Sequence, residues 1–181
     1  MKKTMLKIAC IAMTSIPVLT TLTTTGEAKT AAQTEVANFK KYAKNEKILY
    51  GNGTKLSDTY KVASKKLGKP LSKGKTVKQD FYYANRYTYK NNITIEYVRF
   101  DKKEKLENAM IGIVEGQFKQ KITYKDLKAG LPDLFASKTT LFYSAHYSQL
   151  GYDLFPAQKL TTKNPLKSST VIKSYRFIGF Q

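Results

Sequence analysis

Residues 81–100 read FYYANRYTYKNNITIEYVRF, with five tyrosines and two phenylalanines interleaved with Arg86, Lys90 and Arg99. The segment divides at Asn91-Asn92, a turn signal between two runs rich in β-branched and aromatic residues. Asp80 to Tyr89 and Ile93 to Phe100 are therefore predicted strands of an antiparallel hairpin. Side chains alternate between the two faces of a strand. Phe81, Tyr83, Tyr87 and Tyr89 share one face; Tyr82, Ala84, Arg86 and Thr88 share the other. In the next strand Ile93, Ile95, Tyr97 and Arg99 alternate with Thr94, Glu96, Val98 and Phe100. One face is apolar enough to be core. The other is expected to present Tyr82 and Arg86, with Tyr97 and Arg99 beside them.

A helix precedes this hairpin. Leu56, Tyr60, Ala63 and Leu67 step by four, three and four, which draws one apolar stripe. Ser57 or Thr54 can cap its start, Gly68 suits the left-handed position after its end, and Pro70 blocks continuation. Its lysines gather towards the C-terminal end, where the helix dipole favours them. Val36, Phe39 and Ala43 place a shorter helix over Thr34 to Lys44. Ser72 to Lys78 reads as a polar link, and Leu106 to Val114 as a third strand.

The order then recurs. Ile122 to Leu131 is a helix with a cap at Thr123, ended by Gly130 and Pro132. Thr140 to Tyr147, Leu150 to Phe155 and Thr170 to Phe180 are strands. Phe142-Tyr143-Ser144-Ala145-His146-Tyr147 matches Phe81-Tyr82-Tyr83-Ala84 and the Tyr87 that follows it, so the second half presents Tyr143 or Tyr147 near His146. The expected fold is α+β, with two degenerate helix-plus-antiparallel-sheet units over 54–116 and 117–181 and the helices on one face of the sheet. Residues 29–53 form an N-terminal helix and linker.

The amino terminus carries Lys2, Lys3 and Lys7, an apolar run from Ile8 to Leu19, and then Gly26-Glu27-Ala28. This is the pattern of a secretory signal peptide spanning 1–28, cut near Ala28, with Ala31 or Ala32 as other sites. A transmembrane anchor is the competing reading, but the run is short for one and no long apolar segment follows. Cys10, the sole cysteine, lies inside this leader. A mature chain without thiols has no disulfides, thiolate metal sites or cysteine nucleophile. An extracellular protein of a Gram-positive cell is the compartment this suits.

Of 32 basic and 13 acidic residues, the leader holds three lysines and one glutamate, leaving 29 against 12, a net of +17. Such charge attracts polyanions: nucleic acid first, then anionic glycans or wall polymers. Abundant Lys, Asn, Tyr and Ile is also what AT-rich coding produces, which is the competing account.

Helix ending in Leu67-Gly68-Lys69-Pro70, then Phe81-Tyr82-Tyr83, Ile93-Thr94-Ile95-Glu96-Tyr97 and Leu106-Glu107-Asn108-Ala109, resembles the helix-plus-sheet repeat of the β-lactamase-inhibitor-protein fold. Leader, size and lysine content also resemble the immunodominant staphylococcal antigen B family of small secreted proteins. These resemblances imply a secreted binding protein, with polyanion binding as a property of its surface.

Catalytic motifs are lacking. The single histidine, His146, comes without zinc-ligand spacing or a nucleophile elbow. Gly51-Asn52-Gly53 lacks the lysine of a phosphate loop. Glu96, Glu107 and Glu115 read as solvated strand carboxylates rather than a glycosidase pair. The expectation is a non-enzymatic, monomeric protein without metal or cofactor. It binds a polyanion through Tyr82, Arg86, Tyr97, Arg99, Tyr143, His146 and Tyr147 by stacking and charge. The alternative is an inhibitor or immune-evasion protein gripping one host or microbial protein with the same face.

Overall fold

The computed structural model of the protein describes residues 28–145 and 151–179. The leader up to Glu27, together with His146 and Tyr147, lies outside the described residues. The fold is α+β; the described residues form three α-helices and one nine-stranded sheet paired antiparallel throughout.

Helix α1 (Ala31–Lys44) begins earlier than its apolar spacing indicates. Thr30 and Gln33 form a reciprocal capping box, with Gln33 N donating to Thr30 Oγ1 at 3.2 Å and Thr30 N to Gln33 Oε1 at 2.9 Å. Helix α2 (Tyr60–Leu67) begins later than Leu56, because Asp58 turns back to accept from Lys55 N at 2.8 Å and from Lys66 Nζ at 2.6 Å. Gly68 has φ of 79° and ψ of −164° directly after it, a positive-φ conformation that glycine adopts readily, in place of the left-handed helical one expected there. Helix α3 (Tyr124–Gly130) is capped by Thr123 and Asp126 as a second capping box.

The strands are β1 (Ser72–Lys73), β2 (Val77–Lys78), β3 (Tyr83–Tyr89), β4 (Ile93–Arg99), β5 (Met110–Thr123), β6 (Leu134–Ala136), β7 (Leu141–Ser144), β8 (Gly151–Pro156) and β9 (Val171–Ile178). Their order across the sheet is β1-β3-β4-β5-β9-β8-β7-β6, with β2 also on β3. The predicted polar link at Ser72 to Lys78 is thus a broken edge strand. Asn91 and Asn92, both at positive φ, make the β3–β4 turn, a conformation asparagine tolerates better than most residues. Strand β5 does not stop at Val114: it runs for 14 residues, through the 116/117 boundary expected between two units, and joins β4 to β9.

One line of paired residues crosses seven strands: Tyr87, Ile95, Val114, Phe177, Tyr152, Tyr143 and Leu134. All but Leu134 are buried, and Leu134 packs against them. Phe39 of α1 meets the rings of Phe118, Tyr143, Tyr152 and Tyr175 at 5.2–5.8 Å between centroids. Tyr60 of α2 meets Tyr87 and Tyr97 at 5.3 and 5.0 Å. Such edge and tilted ring pairs add about 0.5–1.5 kcal/mol each beyond burial. The tyrosines are therefore the mortar of this core.

Gly116 is what lets Tyr175 lie flat. A Cβ there would stand 2.3 Å from Tyr175 Cζ and Oη. That ring is held between Phe39 and Phe118, and its hydroxyl donates to Leu49 O at 3.2 Å. Gly116→Ala is expected to cost about 1–3 kcal/mol by overpacking, read as a lower urea midpoint at unchanged slope.

Candidate functional site

The side of the sheet opposite this aromatic line is defined by the intervening positions. One row runs Thr88, Thr94, Glu115, Arg176, Asp153, Phe142 and Phe135; the next runs Arg86, Glu96, Ile113 and Ile178. Glu115 is the hub. One oxygen takes the guanidinium of Arg86; the other takes Arg176 Nε at 2.9 Å and its terminal nitrogen at 2.8 Å. The Arg176 guanidinium also lies 5.1 Å from the Phe155 ring centroid. Asn92, Thr94, Gln117, Phe155, Ser174 and Arg176 line a pocket of about 230 Å³ there. Burial raises the Glu96 carboxyl above its ordinary range, and the charge of Arg86 opposes that shift.

The structure places the expected site residues in different environments. Arg86 is exposed on the open side, but its charge is tied to Glu115. Tyr82 is half-buried before β3, where its carbonyl accepts from Gln79 N at 2.8 Å. Tyr97 is corrected to the core. It follows Ile93 and Ile95 onto the helix side, is fully buried, and shares a 3.1 Å hydrogen bond with the Tyr89 hydroxyl. Arg99 follows the same alternation, donating to Glu104 O at 2.7 Å and Asn85 Oδ1 at 3.1 Å. Tyr143 is also core, beneath Phe39, while its neighbour Phe142 takes the open side. His146 and Tyr147 lie outside the described residues. Among the described residues, the open side of the sheet therefore carries Arg86 but neither Tyr97 nor Tyr143. Strict alternation, applied to Tyr97 and Tyr143 as to isoleucine, is the signal that would have sent both inward.

Lysine is absent from every paired position on the open side. Most described lysines occupy helices, turns and edge strands; Lys119 and Lys121 in β5 and Lys173 in β9 are exposed where the strand pairing is irregular. Lys29, Lys40, Lys41 and Lys44 line a groove between α1 and α3, with Gln33 and Asp126. Several carboxylates are meanwhile engaged in internal work. Glu35 accepts from Lys119 N at 2.7 Å and Gln120 N at 2.6 Å. Asp126 caps α3, Asp101 accepts from Lys103 N at 2.8 Å, and Glu115 holds two arginines. Among the described lysines other than Lys44, only Lys66 forms an ion pair.

Among the described residues no group of three or more His, Cys, Asp or Glu side chains is placed to hold a metal ion, and no helix is long and apolar enough to cross a membrane. No family model matches the chain, and no curated protein or solved structure is detectably similar to it.

Proposed function

We propose that the protein is a secreted, non-catalytic binder of extracellular polyanions, nucleic acid first, and that it binds through its lysine-bearing helical side rather than through the sheet face. The observation that carries this reading is uncompensated charge. Basic residues outnumber acidic ones 32 to 13, and of the acidic side chains Glu35, Asp101, Asp126 and Glu115 are committed to backbone amides, a cap or arginine. The positive field of the chain, +17 once residues 1–28 are removed, therefore extends into solvent and draws anions from a distance. The α1–α3 groove brings Lys29, Lys40 and Lys41 together beside the single carboxylate of Asp126.

Binding should be driven by counterion release, so affinity falls steeply with salt. Lys40→Gln with Lys41→Gln should lower the slope of log affinity against log salt by about 1–2 for a duplex, since each phosphate contact contributes about 0.9. Lys102→Gln with Lys103→Gln, in the turn after β4, should change it less. Fluorescence titration of a short DNA duplex at several salt concentrations measures both. Equal slopes for the two double variants would mean that the charge acts as a smeared field and the groove is no site. Absence of binding at low salt would end the polyanion reading itself.

A further inference from the structure

The pocket of about 230 Å³ beside Glu115 lies on the opposite side of the sheet from the lysine groove. We propose that it binds a single uncharged sugar ring, a site separate from any polyanion surface.

Its walls follow from the strand register. Glu115 pairs with Arg176 in one row, and Gln117 with Ser174 in the next row on the same side. Thr94 continues the first row on β4, and Phe155 continues the second on β8. Asn92, at φ of 55° in the β3–β4 turn, closes one end, its Nδ2 donating to Gln117 Oε1 at 3.4 Å. Glu115 is tied through both oxygens, and Arg176 through Nε and a terminal nitrogen. The charged part of the wall is therefore fixed before a ligand arrives, which lowers the cost of binding.

Three properties select the ligand. The first is the mixture of donors and acceptors. Among the described residues, Gln117 Nε2, Asn92 Oδ1, the Ser174 hydroxyl and Arg176 Nη1 have no hydrogen-bond partner. The amide and guanidinium nitrogens donate, the amide oxygen accepts, and the serine hydroxyl does both. A sugar hydroxyl also does both and can serve each of these atoms. A phosphate or carboxylate ion only accepts, and would face Asn92 Oδ1 without a proton to offer.

The second is charge. Glu115 and Arg176 carry the charges of the lining, one of each sign and paired with each other. An anion gains little there, in contrast to the groove. The third is an apolar wall. Phe155 is 38% exposed, with the Arg176 guanidinium 5.1 Å from its ring centroid. A sugar ring has an apolar C–H face and a polar rim; the face can lie on the phenyl while the rim meets the amides. Size agrees, since drug-sized ligands fill about 300–1,000 Å³ and this smaller volume holds one ring.

The test follows the side-chain amide NMR signals of Asn92 and Gln117 in the isotope-labelled protein. Methyl glycosides of neutral hexoses and N-acetylhexosamines are titrated in, with a uronic acid and a hexose phosphate as charged counterparts. At least one neutral glycoside should shift both signals to saturation, with a Kd of about 1–10 mM. That Kd should be the same at about 0.05 and 0.5 M salt, because no charge is screened. Gln117→Ala and Ser174→Ala should each weaken binding about fivefold, and Phe155→Ala about tenfold. Lys40→Gln with Lys41→Gln should leave it unchanged. The DNA titration reads the groove and this one reads the pocket, so either can fail alone. No shift from any neutral glycoside at about 50 mM overturns the proposal. So does tighter binding of the hexose phosphate than of its parent sugar, or affinity that survives both Phe155→Ala and Gln117→Ala.

Discussion

Raising the pH from about 9 to about 12 should unfold the protein in one steep transition, because its core is built from phenols that cannot ionise in place. Tyr97, Tyr152 and Tyr175 are each pushed well above the ordinary tyrosine range, by burial first. For Tyr97 the hydrogen bond to Tyr89 adds to the shift. Tyr87, Tyr89 and Tyr143 shift upward for the same leading reason. In the unfolded chain these groups lose their protons near pH 10. Folded-state values above that mean the native state keeps protons the unfolded state has released. Their stabilisation is complete below about pH 10 and is lost as pH rises towards the folded values, by about 1.4 kcal/mol per pH unit for each tyrosine. Three such groups together remove about 4 kcal/mol per unit, against a total stability of about 5–15 kcal/mol for an ordinary domain. Tyrosinate absorbance and far-ultraviolet circular dichroism should therefore change together for the core rings. Tyr152 has a buried hydroxyl with no protein partner. Tyr152→Phe should accordingly move the alkaline midpoint upward without a loss at neutral pH. Complete ionisation with an unchanged β-sheet spectrum would show that water reaches these rings.

The same tyrosines explain what the sequence conceals. The hairpin around Asn91-Asn92 is legible because alternation and turn chemistry agree, and Gly68 and Thr123 mark helix ends for reasons local to the chain. The pieces β1, β2 and β6 are not legible. Ser72-Lys73 and Val77-Lys78 have little strand preference of their own and are ordered by the unpaired edge of β3. Strand β5 beyond Val114 is polar, and its length is set by pairing with β9. Tyr97 and Tyr143 mislead because a hydroxyl invites a surface reading, whereas ring area decides their side. The row from Thr88 to Phe135 that defines the open side depends on the register of seven strands at once, which no local pattern carries.

Glu35→Ala is expected to cost about 3–5 kcal/mol, the range for removing one partner of a buried charged network. Glu35 is 4% exposed on α1. Its oxygens accept from Lys119 N at 2.7 Å, from Gln120 N at 2.6 Å and from the Tyr50 hydroxyl. Those two amides sit in the irregular stretch of β5 between Gln117 and Ile122, where the register against β9 slips. The ladder is interrupted there, and the carboxylate accepts in place of a strand carbonyl. Tyr50 stands at φ of 62°, a costly conformation for a bulky residue. Glu35 holds its hydroxyl while the Lys119 ammonium lies 4.2 Å from its ring centroid. Alanine would orphan two amides at about 1–3 kcal/mol each if they stay dry, and would free α1 from the sheet. Glu35→Gln retains one acceptor oxygen and should cost about half as much. Urea denaturation of both variants separates the contributions: a large loss in the alanine variant alone assigns the effect to unpaired amides, and equal large losses assign it to the charge. A loss below about 1 kcal/mol in both would mean that water takes the carboxylate's place. The helix would then rest on the sheet through Phe39 and its ring of aromatics alone.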